Sequence, residues 1–171
     1  MSILTDEIRF YVGKQSERVF ACDPVEKGAV RRFAQAIMDE QPKYGAEGID
    51  EGGQSLAPPL FPPFMFRRPL GTEDPISKRA EDPDFDGLTL SVNTGLPDLP
   101  LPGLALLNGG AEIEFYRHAR HGEWVSQRSR YSDIYERESK KGPMLFVVTE
   151  TDYETRGGDL LVRVRQVNIR R

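Results

Sequence analysis

The chain has 171 residues, enough for one domain with a sizeable core and short for two. Its formal net charge of −4 gives no overall pull toward nucleic acid or an anionic membrane. The single cysteine, Cys22, excludes an internal disulfide and a cysteine-based zinc site.

The first residues, MSILTDEIRFYVGK, show no basic stretch followed by an apolar run, so no signal peptide is expected. No apolar run approaches the roughly 20 residues that span a bilayer. The expectation is a soluble, cytoplasmic protein. Residues 3–11 predict a short helix, with Thr5 or Ser2 near its start, Ile8 and Tyr11 inward, and Gly13 ending it. The run Val19-Phe20-Ala21-Cys22 is a short strand candidate, in which Cys22 reads as a small core residue.

Residues 23–44, DPVEKGAVRRFAQAIMDEQPKY, predict a core helix delivered into a polar loop. Asp23 suits the cap, Pro24 the first helical position, and Glu26 the return bond of a capping box. Val30, Phe33, Ala34 and Ile37 fall at i, i+3, i+4 and i+7, one apolar stripe. The pattern stops at Asp39, and Pro42 does not continue a helix. A carboxylate therefore sits where the helix of about 24–39 ends, followed by Glu40, Gln41, Pro42 and Tyr44. The alternative is a solvated acidic turn.

The stretch AEGIDEGGQS is a polar, Gly-rich loop. In LAPPLFPPFMF, residues 56–66, four prolines forbid an ordinary central strand or an unbroken helix. Leu60, Phe61, Phe64, Met65 and Phe66 nonetheless require burial. A stiffened apolar loop meets both demands, either over a cavity or packed directly on the core. Residues 67–103 carry no sustained period, and so long a loop is usually functional or mobile.

From Leu104 the pattern changes to alternation. Residues 104–117, 123–138, 143–155 and 159–170 predict long strands. HARHG at 118–122, KKG at 140–142 and RGG at 156–158 suit hairpin turns. Four antiparallel strands after one central helix give an α+β fold, a curved antiparallel sheet wrapped around a long helix.

Three pieces now coincide: the helix ending in Asp39-Glu40-Gln41-Pro42-Lys43-Tyr44; Ala57-Pro58-Pro59-Leu60-Phe61-Pro62; and Leu107-Asn108-Gly109-Gly110-Ala111-Glu112-Ile113-Glu114-Phe115, continuing through Gly142–Thr149 to the last strand. Together they resemble the MaoC-like dehydratases of the N-terminal type, over nearly the whole chain except the central insertion. The resemblance implies a hot-dog fold and action on acyl-CoA thioesters in fatty-acid or steroid metabolism, adding water to a 2-enoyl-CoA or removing it from a 3-hydroxyacyl-CoA. It implies no cofactor beyond the CoA carried by the substrate. The family signature is an Asp, a polar residue, Asn, Pro and then His. Asp39 matches the Asp, Gln41 replaces the Asn, Pro42 matches the Pro, and Tyr44 stands where the His belongs. The chemistry needs a base for water and an acid for the α-carbon, and imidazole exchanges protons near neutral pH. A tyrosine, with a reference pKa near 10, is a poor base.

The candidate catalytic residues are Asp39, to hold or activate water, and Tyr44, to donate a hydrogen bond or shape the pocket. Their alternatives are capping or arginine pairing, and wall-building. Gln41, Asn108, Gly109, Gly110 and Phe61 are candidate substrate contacts; the glycines permit close backbone approach, or mark a β-bulge. Arg67 and Arg68, with Lys140 and Lys141, are candidates for CoA phosphates or are merely solvated. His118 and His121 lie in a predicted turn, spaced wrongly for a pair on one strand face, and read as surface histidines with no metal. Three functions follow. The first is a hydratase subunit whose hot-dog partner, a second MaoC-like chain or another copy, supplies the Asp and His. The second is a non-catalytic acyl-thioester binding or scaffold module. The third is a self-sufficient homodimer using Asp39 and Tyr44.

Overall fold

A computed structural model describes residues 2–39, 41–45, 55–84 and 94–171. The alternating runs form long strands: β2 (Leu106–Phe115), β3 (Val125–Ser139), β4 (Gly142–Thr155) and β5 (Leu160–Arg170). With the two-residue β1 (Val19–Phe20) they make one antiparallel sheet in the order β1-β3-β4-β5-β2. The helices are short: α1 (Asp6–Arg9), α2 (Lys27–Ala36), α3 (Phe61–Phe64) and α4 (Pro75–Arg79). Among the described residues no helix is long and apolar enough to cross a membrane. The polar loop expected over 46–54, residues 85–93 of the central insertion, and Glu40 lie outside the described residues.

Register assigns the two faces. Val125, Ser129 and Tyr131 of β3 align with Thr155, Thr151 and Thr149 of β4, and Tyr153, Thr151 and Val147 align with Val162, Val164 and Asn168 of β5. This face carries two apolar clusters. At one end Val30 of α2 and Phe61 of α3 pack with Val25, Ala57, Ala119, Val125, Leu161 and Val162. At the other, Ile8 of α1 packs with Leu96, Leu101, Tyr131, Ile134, Leu145 and Val147. The opposite face is a charge ladder: Arg163 grips Asp152 through two bonds of 2.6 and 2.9 Å, Arg18 meets Glu154 at 2.7 Å, and Arg130 pairs with Glu150.

The helix expected over 24–39 is shorter at both ends. Asp23 does not cap it; Glu26 is the N-cap, without a side-chain bond. The reason is that Val25 is already committed, its N–H donating to Glu123 O and its carbonyl accepting from Gly122 N, each at 2.9 Å. At the other end Asp39 N donates to Ala34 O and Met38 N to Gln35 O, with Met38 at φ 56°. This is a Schellman ending with methionine where glycine is usual. It turns Ile37 out of the stripe, 48 % exposed, and Met38 to 87 % exposure. So α2 lies against the sheet through Val30 and Ala34.

Two further expectations change, and the proline run takes one of its two expected forms. HARHG is no hairpin: β2 pairs with β5 rather than β3, so residues 116–124 cross the end of the sheet. The proline run packs on the core, with Ala57, Pro58, Phe61 and Pro62 buried and a single helical turn at α3. Cys22 is exposed, because Ala21 takes the inward position, and its thiol donates to Arg67 O at 3.2 Å. The helix expected over 3–11 forms only over Asp6–Arg9, with Ile8 buried and Thr5 Oγ1 accepting from Ile8 N as its cap.

Two outcomes follow from this packing. A non-glycine residue in the left-handed region costs about 1–2 kcal/mol, so Met38→Gly should raise the unfolding free energy by about 1 kcal/mol. A urea midpoint that falls would show that Met38 is not strained. Burial pushes the Tyr153 phenol up to about 12. Its stability contribution is complete below its unfolded pKa of about 10 and is lost as pH rises toward 12. Tyr153→Phe should flatten the decline in melting temperature above pH 10, and an unchanged decline would contradict this.

Candidate active site

The crossing segment builds the site. Its backbone pairs with the proline run: Ala57 N donates to Ala119 O and His121 N to Ser55 O, both at 2.9 Å. Its two histidines reinforce the join. His118 Nδ1 meets Ala57 O at 2.9 Å and His121 Nδ1 meets Val25 O at 2.8 Å. A carbonyl only accepts, so each Nδ1 carries a proton. Arg117 anchors the segment from beneath, bonding Glu123 and Asp159 at 2.9 Å. Arg117 and Glu123 thus fix the stretch that holds the start of α2, the proline run and the residues over them.

Asp39, Gln41 and Tyr44 come together as expected. They line one cleft of about 350 Å³ at the end of α2. Asp39 Oδ1 accepts from Gln41 N at 3.2 Å, and Tyr44 N donates to Gln41 O at 3.0 Å. This tight turn, closed by Pro42 in a 3-10 helix over Pro42–Tyr44, swings Tyr44 inward. Tyr44 is 5 % exposed, its ring edge-on to His118 at 5.7 Å between centroids, with Lys43 Nζ 4.9 Å from the ring centre. Asp39 Oδ2 has no hydrogen bond among the described residues, which leaves an oxygen for water.

Phe61, Arg67 and Arg68 form a second group on the other flank of α2. They line a cleft of about 330 Å³ together with Arg32, Asp23 and Glu26. Phe61 is 2 % exposed and packs on Phe33 at 5.6 Å, while the Arg67 guanidinium covers Phe64 at 4.4 Å. Phe61 therefore forms the floor and the arginines the rim. Three guanidiniums against two carboxylates leave this cleft positive, in keeping with phosphate.

Asn108, Gly109 and Gly110 lie elsewhere in the chain. They form a β-bulge on the edge strand β2, where the register with β5 shifts between Asn108 and Ala111. Asn108 Oδ1 accepts from Gly110 N at 2.8 Å, and Gly110 has φ +107°. A Cβ on Gly109 would lie 2.9 Å from a Val167 methyl, so that glycine is required for strand pairing. They line neither cleft beside α2.

Sequence reading missed the place of His118 and the backbone bonds of both histidines. His121 is exposed, as expected of a surface histidine, but His118 is half-buried against Tyr44, and both fix their rings on backbone carbonyls. The available signal was Ala119 between them, a small apolar residue amid polar neighbours that is 1 % exposed.

Residues 11–164 match the family model for the FAS1-like, dehydratase domain region. No curated protein matches the chain in sequence. Among solved structures, the ChsH1–ChsH2 complex from Mycobacterium tuberculosis is similar at TM-score 0.66 and 16% identity, over 96% of this chain and 88% of that one. A MaoC-like dehydratase from Rhodospirillum rubrum aligns at TM-score 0.55 and 20% identity, over 94% and 92%. The HadBC complex, a 3R-hydroxyacyl-ACP dehydratase from Mycobacterium tuberculosis, aligns at TM-score 0.55 and 14% identity, over 93% and 96%. The shared architecture is the hot-dog fold.

Phe33 ties α2 to the floor of the arginine cleft, with centroids 5.6 Å from Phe61 and 5.1 Å from Phe64. Its ring is half-buried, so Phe33→Ala should cost about 2–3 kcal/mol in urea unfolding, at or below the range for a fully buried ring. A loss under about 1 kcal/mol would mean that α2 is held by its backbone connections alone.

Proposed function

The chain belongs to the FAS1-like dehydratase domain region family, and on that footing we propose that it is a subunit of an enoyl-CoA hydratase or 3-hydroxyacyl-CoA dehydratase. It shapes an acyl-thioester pocket, and a second hot-dog chain supplies the working Asp and His. The observation that carries this reading is Tyr44. It occupies the signature's histidine position, buried against His118 and turned toward the cleft of Asp39. The cleft thus has a carboxylate for water and a phenol suited to hydrogen-bonding a carbonyl oxygen, but no imidazole in the signature position. Proton exchange at the α-carbon near neutral pH then falls to the partner's histidine.

The arginine cleft supports CoA as the carrier, with Arg67, Arg68 and Arg32 placed for phosphate and Phe61 for apolar contact. Two of the similar solved structures are complexes of two different chains, which supports a hot-dog partner. The partner's seat is the edge strand β2. All ten of its residues are exposed, and Ile113 and Phe115 pair with Val164 and Val162. Unpaired edges of this kind invite another strand. The lone cysteine fits a reducing compartment, and we place the protein in the cytoplasm. The second reading is an acyl-thioester binding module without turnover; the absence of the signature histidine favours it if no partner restores activity.

The isolated chain should hydrate crotonyl-CoA slowly or not at all. Gln41→Asn with Tyr44→His restores the signature and should raise the rate if Asp39 is already in place, though a 1 Å misplacement costs about a hundredfold. Fast turnover by the wild-type chain alone would overturn the partner model. Asp39→Asn would then decide whether the carboxylate takes part.

A further inference from the structure

A cavity of about 150 Å³ opens toward the N-terminal end of α2, sharing Arg31, Tyr44 and Gly45 with the cleft of Asp39. Val30 and Leu56 give it an apolar wall, and Lys27, Arg31 and His121 line its polar side. Among the described residues no carboxylate lines it, in contrast to the arginine cleft on the other flank, where Asp23 and Glu26 face the arginines. Ser55 lines it too. Ser55 is 8 % exposed, and its hydroxyl has no hydrogen-bond partner among the described residues. A buried hydroxyl left unpaired costs free energy that a ligand acceptor would recover.

The surrounding groups ask for the same kind of ligand. The ten-residue α2 starts here, and its N-cap, Glu26, makes no side-chain bond to the first-turn amides. Those amides and the helix dipole favour negative charge. His121 Nδ1 donates to Val25 O, so protonation at Nε2 would add a positive donor without moving the ring.

We propose that this cavity binds an oxyanion, a phosphate or carboxylate group, through Ser55, His121, Lys27 and the first turn of α2. The site rests on these groups alone and stands whether or not the chain takes part in hydration. Titration of the full 15N-labelled chain with inorganic phosphate and, separately, acetate tests it. The expected result is saturable shifts at the Gly28 and Ser55 amides and the His121 ring with at least one probe. The probe that saturates identifies the group as phosphate or carboxylate. Ser55→Ala and Lys27→Met should each weaken binding about tenfold. Lys27 is exposed, so its variant should fold normally. Shifts that never saturate with either probe would overturn the proposal. So would equal affinities in wild type and both variants, or responses centred on Arg67 and Arg68.

Discussion

The pairing of β2 with β5 governs the rest of the molecule. Because β2 joins the far side of the sheet, the chain must cross the ends of β5 and β4 to begin β3. That crossing supplies hydrogen bonds to the start of α2 and to the proline run. Val25 binds Glu123, Gly122 and His121, while Ala57 binds Ala119 and His118. Buried backbone groups must be paired, and the crossing pairs those of the proline run, which has no strand neighbour of its own apart from one bridge between Leu56 and Arg120. The same topology leaves β2 uncovered. One constraint thus builds half a site and exposes the edge that a second chain can extend.

The end of α2 shows how local strain serves this arrangement. A helix continued through Met38 and Asp39 would carry Asp39 onward along the helix, away from Gln41 and Tyr44. Met38 instead reverses the chain at φ 56°, and Pro42 closes the turn. The cost falls on an exposed residue with no packing role. The gain is a carboxylate and a buried phenol in one cleft.

Much of this was legible in the sequence. The four long strands appear within about two residues of their expected bounds, because alternation over ten or more residues has no competing explanation. The grouping of Asp39, Gln41 and Tyr44 also follows from local spacing. What failed was long-range. The start of α2 depends on Val25 bonding a segment about a hundred residues later, which no capping pattern near Asp23 reveals. HARHG has the composition of a hairpin turn, and composition does not say which strands pair. The half-buried place of His118 against Tyr44 is hidden for that reason. Asn108–Gly110 illustrate the same limit: two glycines before a strand fit either a ligand contact or a bulge, and here the Gly109 contact with Val167 makes the bulge.

Charge on the two faces separates their roles. The ladder of Arg163, Asp152, Arg130 and Glu150 suits a solvated surface, whereas Leu107, Ile113 and Phe115 on β2 remain exposed without such pairing. An edge strand with exposed apolar residues is incomplete as a surface. The most direct measurement is the mass of the purified chain by light scattering at micromolar concentration, compared with Ile113→Lys. The account predicts an assembly of at least twice 19.3 kDa for the wild type, reduced by the lysine on β2. A wild-type mass of 19.3 kDa, unchanged in the variant, would contradict it.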